Sequence, residues 1–466
     1  MATTRTEHDL LGNFEVPRDA YWGVHTARAK ANFPITGVPI GHYRSLIRAL
    51  ALVKRAAAYA NQQVGELEPE LAEVIIQACD EVARGDFDTE FVVDTIQGGA
   101  GTSTNMNANE VIANRALELL GHAKGEYQYL HPLNHVNMSQ STNDVYPTAL
   151  KVALVLEIRN LIAAMQHLRA AFAAKSDEFK HILKMGRTQL QDAVPMTLGQ
   201  EFATFARMTH EDEQRLDEVT RLLCEINLGG TAIGTQLNAP KGYADLACQE
   251  LSRLSNIPLV VAEDMVEATQ DAGVFVMVSG VLKRVAVKLS KTSNDLRLLS
   301  SGPRAGFGEL NLPPMQAGSS IMPGKVNPVI PEVINQIAFA VIGNDMTVTM
   351  AAEGGQLQLN AFEPIIARAL MMSITQLAAG CYTLADRCIS GITANAEKMH
   401  NDVEWSIGLV TALSPTIGYE NATLVAQRAA LENTNVRTEV LKLGLMTEAE
   451  FDAILGNVDL LAGPQN

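Results

Sequence analysis

Seven apolar residues constrain the fold more than anything else in this chain. Leu150, Leu154, Ile158, Leu161, Met165, Leu168 and Phe172 follow one another at steps of four, four, three, four, three and four. That spacing draws one apolar stripe along a long helix. Pro147 falls near its start, where proline is tolerated. Further helical segments run from about Met196 to Leu223, Val261 to Leu299, Glu332 to Met350 and Ala361 to Ala379. Five segments of this length predict an elongated helical bundle. Helices so long are often shared between subunits, because one domain cannot cover them all.

At 466 residues the chain exceeds one hydrophobic core, so two or three domains are expected. The expected boundaries are 1–141 for a mainly helical N-terminal domain with a short hairpin near its start, 142–396 for the long-helix bundle, and 397–466 for a small helical domain. Thr447 and Glu450 have capping-box spacing before a helix at Phe451–Leu455. Apolar residues make up 47% of the chain but aromatics only 5%. The unbranched apolar side chains among them lose little freedom in helices.

A net charge of −16 argues against nucleic acid as a partner. No uninterrupted run of about 18 apolar residues appears, so no membrane partner is expected. The five cysteines (Cys79, Cys224, Cys248, Cys381, Cys388) are odd in number and scattered, which fits reduced thiols in a cytoplasmic protein rather than a disulfide framework.

The chemistry concentrates in three segments rich in small polar residues. One runs from Gly98 to Glu110 and reads GGAGTSTNMNANE. Another runs from His135 to Asp144 and reads HVNMSQSTND. The last runs from Ala317 to Pro328 and reads AGSSIMPGKVNP. Pro323 and Pro328 exclude regular helix or strand from the last, which must be a shaped loop. It is no phosphate-binding P-loop: five residues separate Gly318 from Gly324, and Val326 follows Lys325. No His, Asp and Glu set has metal-ligand spacing. His210 opens HEDEQ, which lacks the second histidine of a zinc motif.

Together the three segments resemble the signature regions of the fumarase/aspartase superfamily, and the resemblance covers nearly the whole chain from Tyr21-Trp22-Gly23-Val24-His25-Thr26 onward. It implies an all-α, three-domain fold with a central bundle of long helices, a homotetramer with shared active sites, and a small-molecule substrate. It also implies β-elimination without an organic cofactor; Mg2+ activation, a trait of some relatives, leaves no ligand cluster visible. The reaction removes a weakly acidic proton beside a carboxylate and makes an aci-carboxylate, so many hydrogen-bond donors are needed where charge develops. By resemblance Ser319 is the base, acting as an alkoxide that flanking loop amides and Lys325 would favour. Lys325 and Asn327 are assigned to the α-carboxylate. Thr102, Ser141, Thr142 and Ser320 are assigned to the β-carboxylate, and Asn143, Thr188 and Gln189 to the leaving amino group.

Plainer roles stand beside these. Ser319 would only brace its loop, and Thr102, Ser141, Thr142 and Asn143 would only cap helices. His131 and His135 read as structural. Their segment LHPLNH departs from the relatives' His-Pro-Asn-Asp pattern, so nothing is carried onto Leu133 or Asn134.

Three details favour loss of ammonia over loss of water. The third motif continues VIPEVINQ at Val329–Gln336, the first has Gly101-Thr102-Ser103, and Gln189 stands where water-eliminating members carry histidine. A neutral amide can only orient, which suits a group that leaves already protonated. The expected activity is that of a carbon–nitrogen lyase converting L-aspartate to fumarate and ammonium. The alternative is a class II fumarate hydratase.

Overall fold

A computed structural model describes residues 3–463. The stripe forms as expected: one helix runs from Thr142 to Glu178, and all seven stripe residues are fully buried. The other long helices are Leu198–Leu222, Gly273–Leu299, Val329–Glu353 and Glu363–Arg387. An antiparallel hairpin pairs Thr4–Asp9 with Gly12–Pro17 near the start of the chain.

Two stretches differ from the sequence expectation. The segment from Val261 to Leu299 is broken, because Asp264 caps a short helix, Met265–Gln270, by accepting from the amides of Val266 and Glu267. Asp271 then accepts from the Gly273 amide, and the long helix begins there. Short polar side chains bond to nearby backbone in this way and end helices. The second difference is a hairpin of Leu183–Thr188 with Gln191–Thr197 ahead of the second long helix. Its two-residue turn, Gln189-Leu190, carries none of the Asn or Gly that normally signals such a turn.

The chain divides into two compact units. The first comprises residues 1–162, 214–284 and 339–377, and the second 163–213, 285–338 and 378–466. In the first, the helices Arg44–Gln63, Pro69–Arg84 and Tyr243–Ser255 pack together. In the second, Phe172 meets Phe205 with ring centroids 5.6 Å apart, and a cluster around Val403, Val425, Val440 and Phe451 forms the core of the C-terminal helices. Thr447 and Glu450 there form the expected reciprocal capping box, on a helix Glu448–Leu455.

One helical segment, Glu363–Gly391, is long and apolar enough to cross a membrane, although no uninterrupted apolar run announces it. Its side chains Ile366, Leu370, Ile374 and Leu377 are buried in the first unit, the behaviour of a core helix.

Glu439 sits fully buried in the C-terminal core. Its carboxylate accepts from Arg428 Nε at 2.9 Å, Thr434 Oγ1 at 3.0 Å and Lys442 Nζ at 3.1 Å. The Arg428 hydrogen bond, then that of Lys442, pulls the carboxyl down to about 2. A depressed carboxyl adds stability above its unfolded-state pKa of about 4.5 and loses it as pH falls toward 2. Glu439→Gln is therefore expected to lower the thermal midpoint at pH 7, with the gap to wild type narrowing at pH 3. A gap that stays constant between the two pH values would contradict this ion cluster.

Candidate active site

Within the first unit, two helix N-termini carry four of the candidate residues. At Thr142–Glu178, Ser141 is the cap: its Oγ accepts from the Asn143 amide at 3.2 Å, while Asp144 Oδ1 accepts from the Ser141 amide at 3.0 Å. Pro147, inside this helix, has no N–H for the carbonyl of Asn143 four residues back. Asn227 Nδ2 donates to that carbonyl instead, at 3.0 Å. The Asn143 side chain donates to Ala232 O at 2.7 Å, which leaves its own Oδ1 as an acceptor. Thr142 Oγ1 accepts from Asn105 Nδ2 at 3.0 Å. Ser141 and Thr142 thus accept from the protein and keep their O–H groups to donate, the polarity a carboxylate needs.

The other helix, Thr102–Leu119, is not capped by Thr102. Gly101 holds the cap position with φ 90°, and a Cβ there would collide with the Tyr146 ring. Gln97 does the capping from a distance, its Oε1 accepting from both the amide and the hydroxyl of Thr104 at 3.0 Å. Thr102 is exposed, with its hydroxyl unused among the described residues.

A buried polar hub lies behind this cradle. Asn137 Oδ1 accepts from Lys54 Nζ at 2.9 Å and from Asn105 and Asn109 at 3.1 Å each. Lys54 also donates to Gln140 Oε1 at 2.9 Å. Burial pulls the Lys54 ammonium below its ordinary range, partly countered by Asp144. Burial pushes the Asp144 carboxyl up against the amides of Thr231, Ser141 and Gly229 that bond it. Lys54, Gln97, Asn105 and Asn137 escape the sequence reading. The pair Lys54-Arg55 inside the otherwise apolar run Ala49–Ala58 was the available signal for the first.

The second unit holds the other six candidates. The 318–328 segment is a loop with neither helix nor strand up to its last residues, closed by the Gly318 amide on Lys325 O at 2.9 Å. Only glycine fits at 318, because a Cβ would strike the Lys325 carbonyl. Ser319 Oγ accepts from two consecutive backbone amides, Met322 at 2.9 Å and Ile321 at 3.2 Å. Both N–H groups face the oxygen that would bear charge. Asn327 Nδ2 braces the loop through Gly318 O at 2.8 Å, so one of its two amide hydrogens is already committed. Ser320 and Lys325 are exposed, and Lys325 has no carboxylate partner among the described residues. Thr188 and Gln189 sit exposed at the end of the second hairpin, where Gln189 and Leu190 take left-handed φ values of 54° and 64°.

His131 and His135 both brace the backbone of their own turn. Nδ1 of His131 accepts from the Leu133 amide at 3.1 Å, and Nδ1 of His135 accepts from the His131 amide at 2.9 Å. An acceptor nitrogen carries no proton, and desolvation lowers both pKa values in agreement. Among the described residues no group of three or more His, Cys, Asp or Glu side chains is arranged to hold a metal.

Residues 12–343 match the family described as lyase, and residues 409–461 match the fumarase C C-terminus. The chain belongs to this lyase family. A relative in Pseudomonas aeruginosa, described as aspartate ammonia-lyase, is 58% identical over 99% of this chain and 98% of its own. One of the same description in Escherichia coli strain K12 is 55% identical over 98% of this chain and 96% of its own. Among solved structures, the fumarate lyase:delta crystallin of Brucella melitensis bound to cobalt superposes with a TM-score of 0.95 at 53% identity, covering 98% of this chain and 99% of that one. The class II fumarase of Schistosoma mansoni gives 0.92 at 35% identity over 99% and 100%. Membership of the lyase family agrees with the mainly α fold read from the sequence. The two aspartate ammonia-lyase relatives are 58% and 55% identical to this chain, and the class II fumarase structure is 35% identical.

Proposed function

We propose that this lyase is an aspartate ammonia-lyase, converting L-aspartate reversibly to fumarate and ammonium. The observation that carries the reading is the pair of amides on Ser319 Oγ, joined to near full-length similarity to relatives of that description. Fumarate hydration is the lesser alternative, given the lower identity of the fumarase.

In the proposed reaction Ser319, as the alkoxide held by the Ile321 and Met322 amides, takes a proton from the carbon beside the β-carboxylate. The electron pair moves onto that carboxylate, and the O–H groups of Thr102, Ser141, Thr142 and Ser320 receive the added charge. Lys325 and the free amide hydrogen of Asn327 hold the α-carboxylate. The acceptor oxygens of Asn143, Thr188 and Gln189 take the substrate ammonium. Collapse of the aci-carboxylate breaks the C–N bond with its electron pair going to nitrogen, so the substrate's –NH3+ leaves as NH3. That ammonia takes up the proton held by Ser319, which yields ammonium and restores the alkoxide. The proposed steps move only the substrate's own proton among the side-chain and backbone groups named, without an organic cofactor.

A homotetramer is part of the proposal. Phe339, Ile342, Met346 and Met350 form an exposed apolar stripe at helical spacing, three of them more than 60% exposed, a surface that asks for a partner. Five unpaired cysteines, four of them buried, fit a cytoplasmic setting. The test is fumarate absorbance with L-aspartate and, separately, L-malate at equal concentration. Turnover of aspartate with release of ammonium is expected. Turnover of malate alone would overturn the assignment.

A further inference from the structure

The strained turn at Gln189-Leu190 has no support of its own. Two consecutive non-glycine residues at positive φ persist only where their surroundings over-determine them. Yet Thr188, Gln189 and Leu190 are exposed, and their side chains make no hydrogen bond among the described residues. The anchors lie at Arg187, just before the exposed tip, and at Asp192, two residues beyond Leu190 on the return strand.

On the first strand, Arg187 Nη1 lies 2.5 Å from Glu309 Oε1, and its guanidinium stacks 4.5 Å from the Phe307 ring. Lys184 Nζ lies 2.8 Å from the other oxygen of Glu309 and 2.5 Å from Glu201. Strict alternation would aim residues 184 and 187 at opposite faces. The strand register slips between Met185 and Arg187, and bulges of this kind twist a hairpin locally. Both cations reach the same carboxylate, whose side chain is 1% exposed. On the return strand, Asp192 Oδ2 accepts from the buried Ser406 Oγ at 2.8 Å.

Glu309 is itself fixed by its backbone. Its amide donates to Leu299 O at 2.8 Å, and its carbonyl accepts from the Asn395 amide at 2.9 Å. Ten residues later the chain reaches Ser319. One buried carboxylate therefore ties the base of the hairpin to the segment that leads into the serine loop.

We infer that Glu309 and Ser406 are positioning residues, which hold Arg187 and Asp192 so that the turn presents Thr188 and Gln189 to the substrate's amino group. This rests on the ammonia-lyase reading above. A misplacement of about 1 Å far from the chemistry costs up to about a hundredfold. The effect should fall on the nitrogen side of the substrate, because Thr188 and Gln189 serve that end.

The test runs the reaction from fumarate and ammonium in wild type, Glu309→Gln and Ser406→Ala, below each variant's thermal midpoint. Glu309→Gln is expected to raise the KM for ammonium between tenfold and a hundredfold, with the KM for fumarate changed far less. Ser406→Ala should shift the same ratio in the same direction by a smaller factor. Should Glu309→Gln not fold, Ser406→Ala decides alone, since it removes one hydroxyl. A lower thermal midpoint with both KM values at wild-type level, or with both raised equally, would overturn the inference. Wild type that makes no aspartate at all would overturn the ammonia-lyase reading instead.

Discussion

Ser319→Ala is expected to lower kcat for L-aspartate at least a thousandfold, with thermal stability close to wild type. A positioned general base is worth about 10²–10⁴ in rate, and here the same oxygen is also the focus of two amides that favour its ionised form. Removing it deletes the proton acceptor altogether. Folding should hardly notice, because Ile321 and Met322 are exposed and water replaces the lost acceptor. Kinetics at saturating aspartate together with a melting curve test both halves. Retention of more than a tenth of wild-type kcat would mean that Ser319 only braces its loop.

Lys54→Ala is expected to cost about 3 kcal/mol or more of stability, by loss of a buried side chain and of two hydrogen bonds to an ionic donor. Gln140 Oε1 loses the donor it has in Lys54, and a void opens where the lysine stem was fully buried. Lys54→Met keeps most of the volume and should cost less. Activity should fall with stability in both, because the Asn137 hub linked to Lys54 also holds Asn105, the residue that bonds Thr142 Oγ1. Denaturant unfolding of the two variants measures the difference. Lys54→Ala within 1 kcal/mol of wild type would show that the hub does not need its cation.

The long helices and the non-repetitive serine loop were legible because their signals are local. A stripe of seven apolar residues and two prolines in six positions need no partner to be read. The broken segment before Gly273 was not, since the breaking agents are Asp264 and Asp271, whose side-chain bonds to nearby amides leave no apolar trace. The second hairpin hid for the opposite reason: its turn uses Gln189 and Leu190 in a conformation that composition rules give to Asn and Gly. At the site, candidates followed from three polar motifs, while their supports did not. Gln97 caps Thr104 from seven residues away, Lys54 reaches Asn137 across 83 residues, and Glu309 meets Arg187 across 122. Such pairings are products of tertiary structure. The cap readings of Ser141 and Thr102 parted in the same way, Ser141 proving a cap and Thr102 leaving that role to Gly101 and Gln97.

The most direct test of Ser319 as the base of an ammonia-lyase is the mass of the amino acid formed from fumarate and ammonium in D2O. Wild type should yield aspartate carrying one deuterium on the carbon next to the β-carboxylate, and Ser319→Ala should yield almost none in the same time. Malate in place of aspartate, or deuterated aspartate at comparable rates from both proteins, would contradict the account.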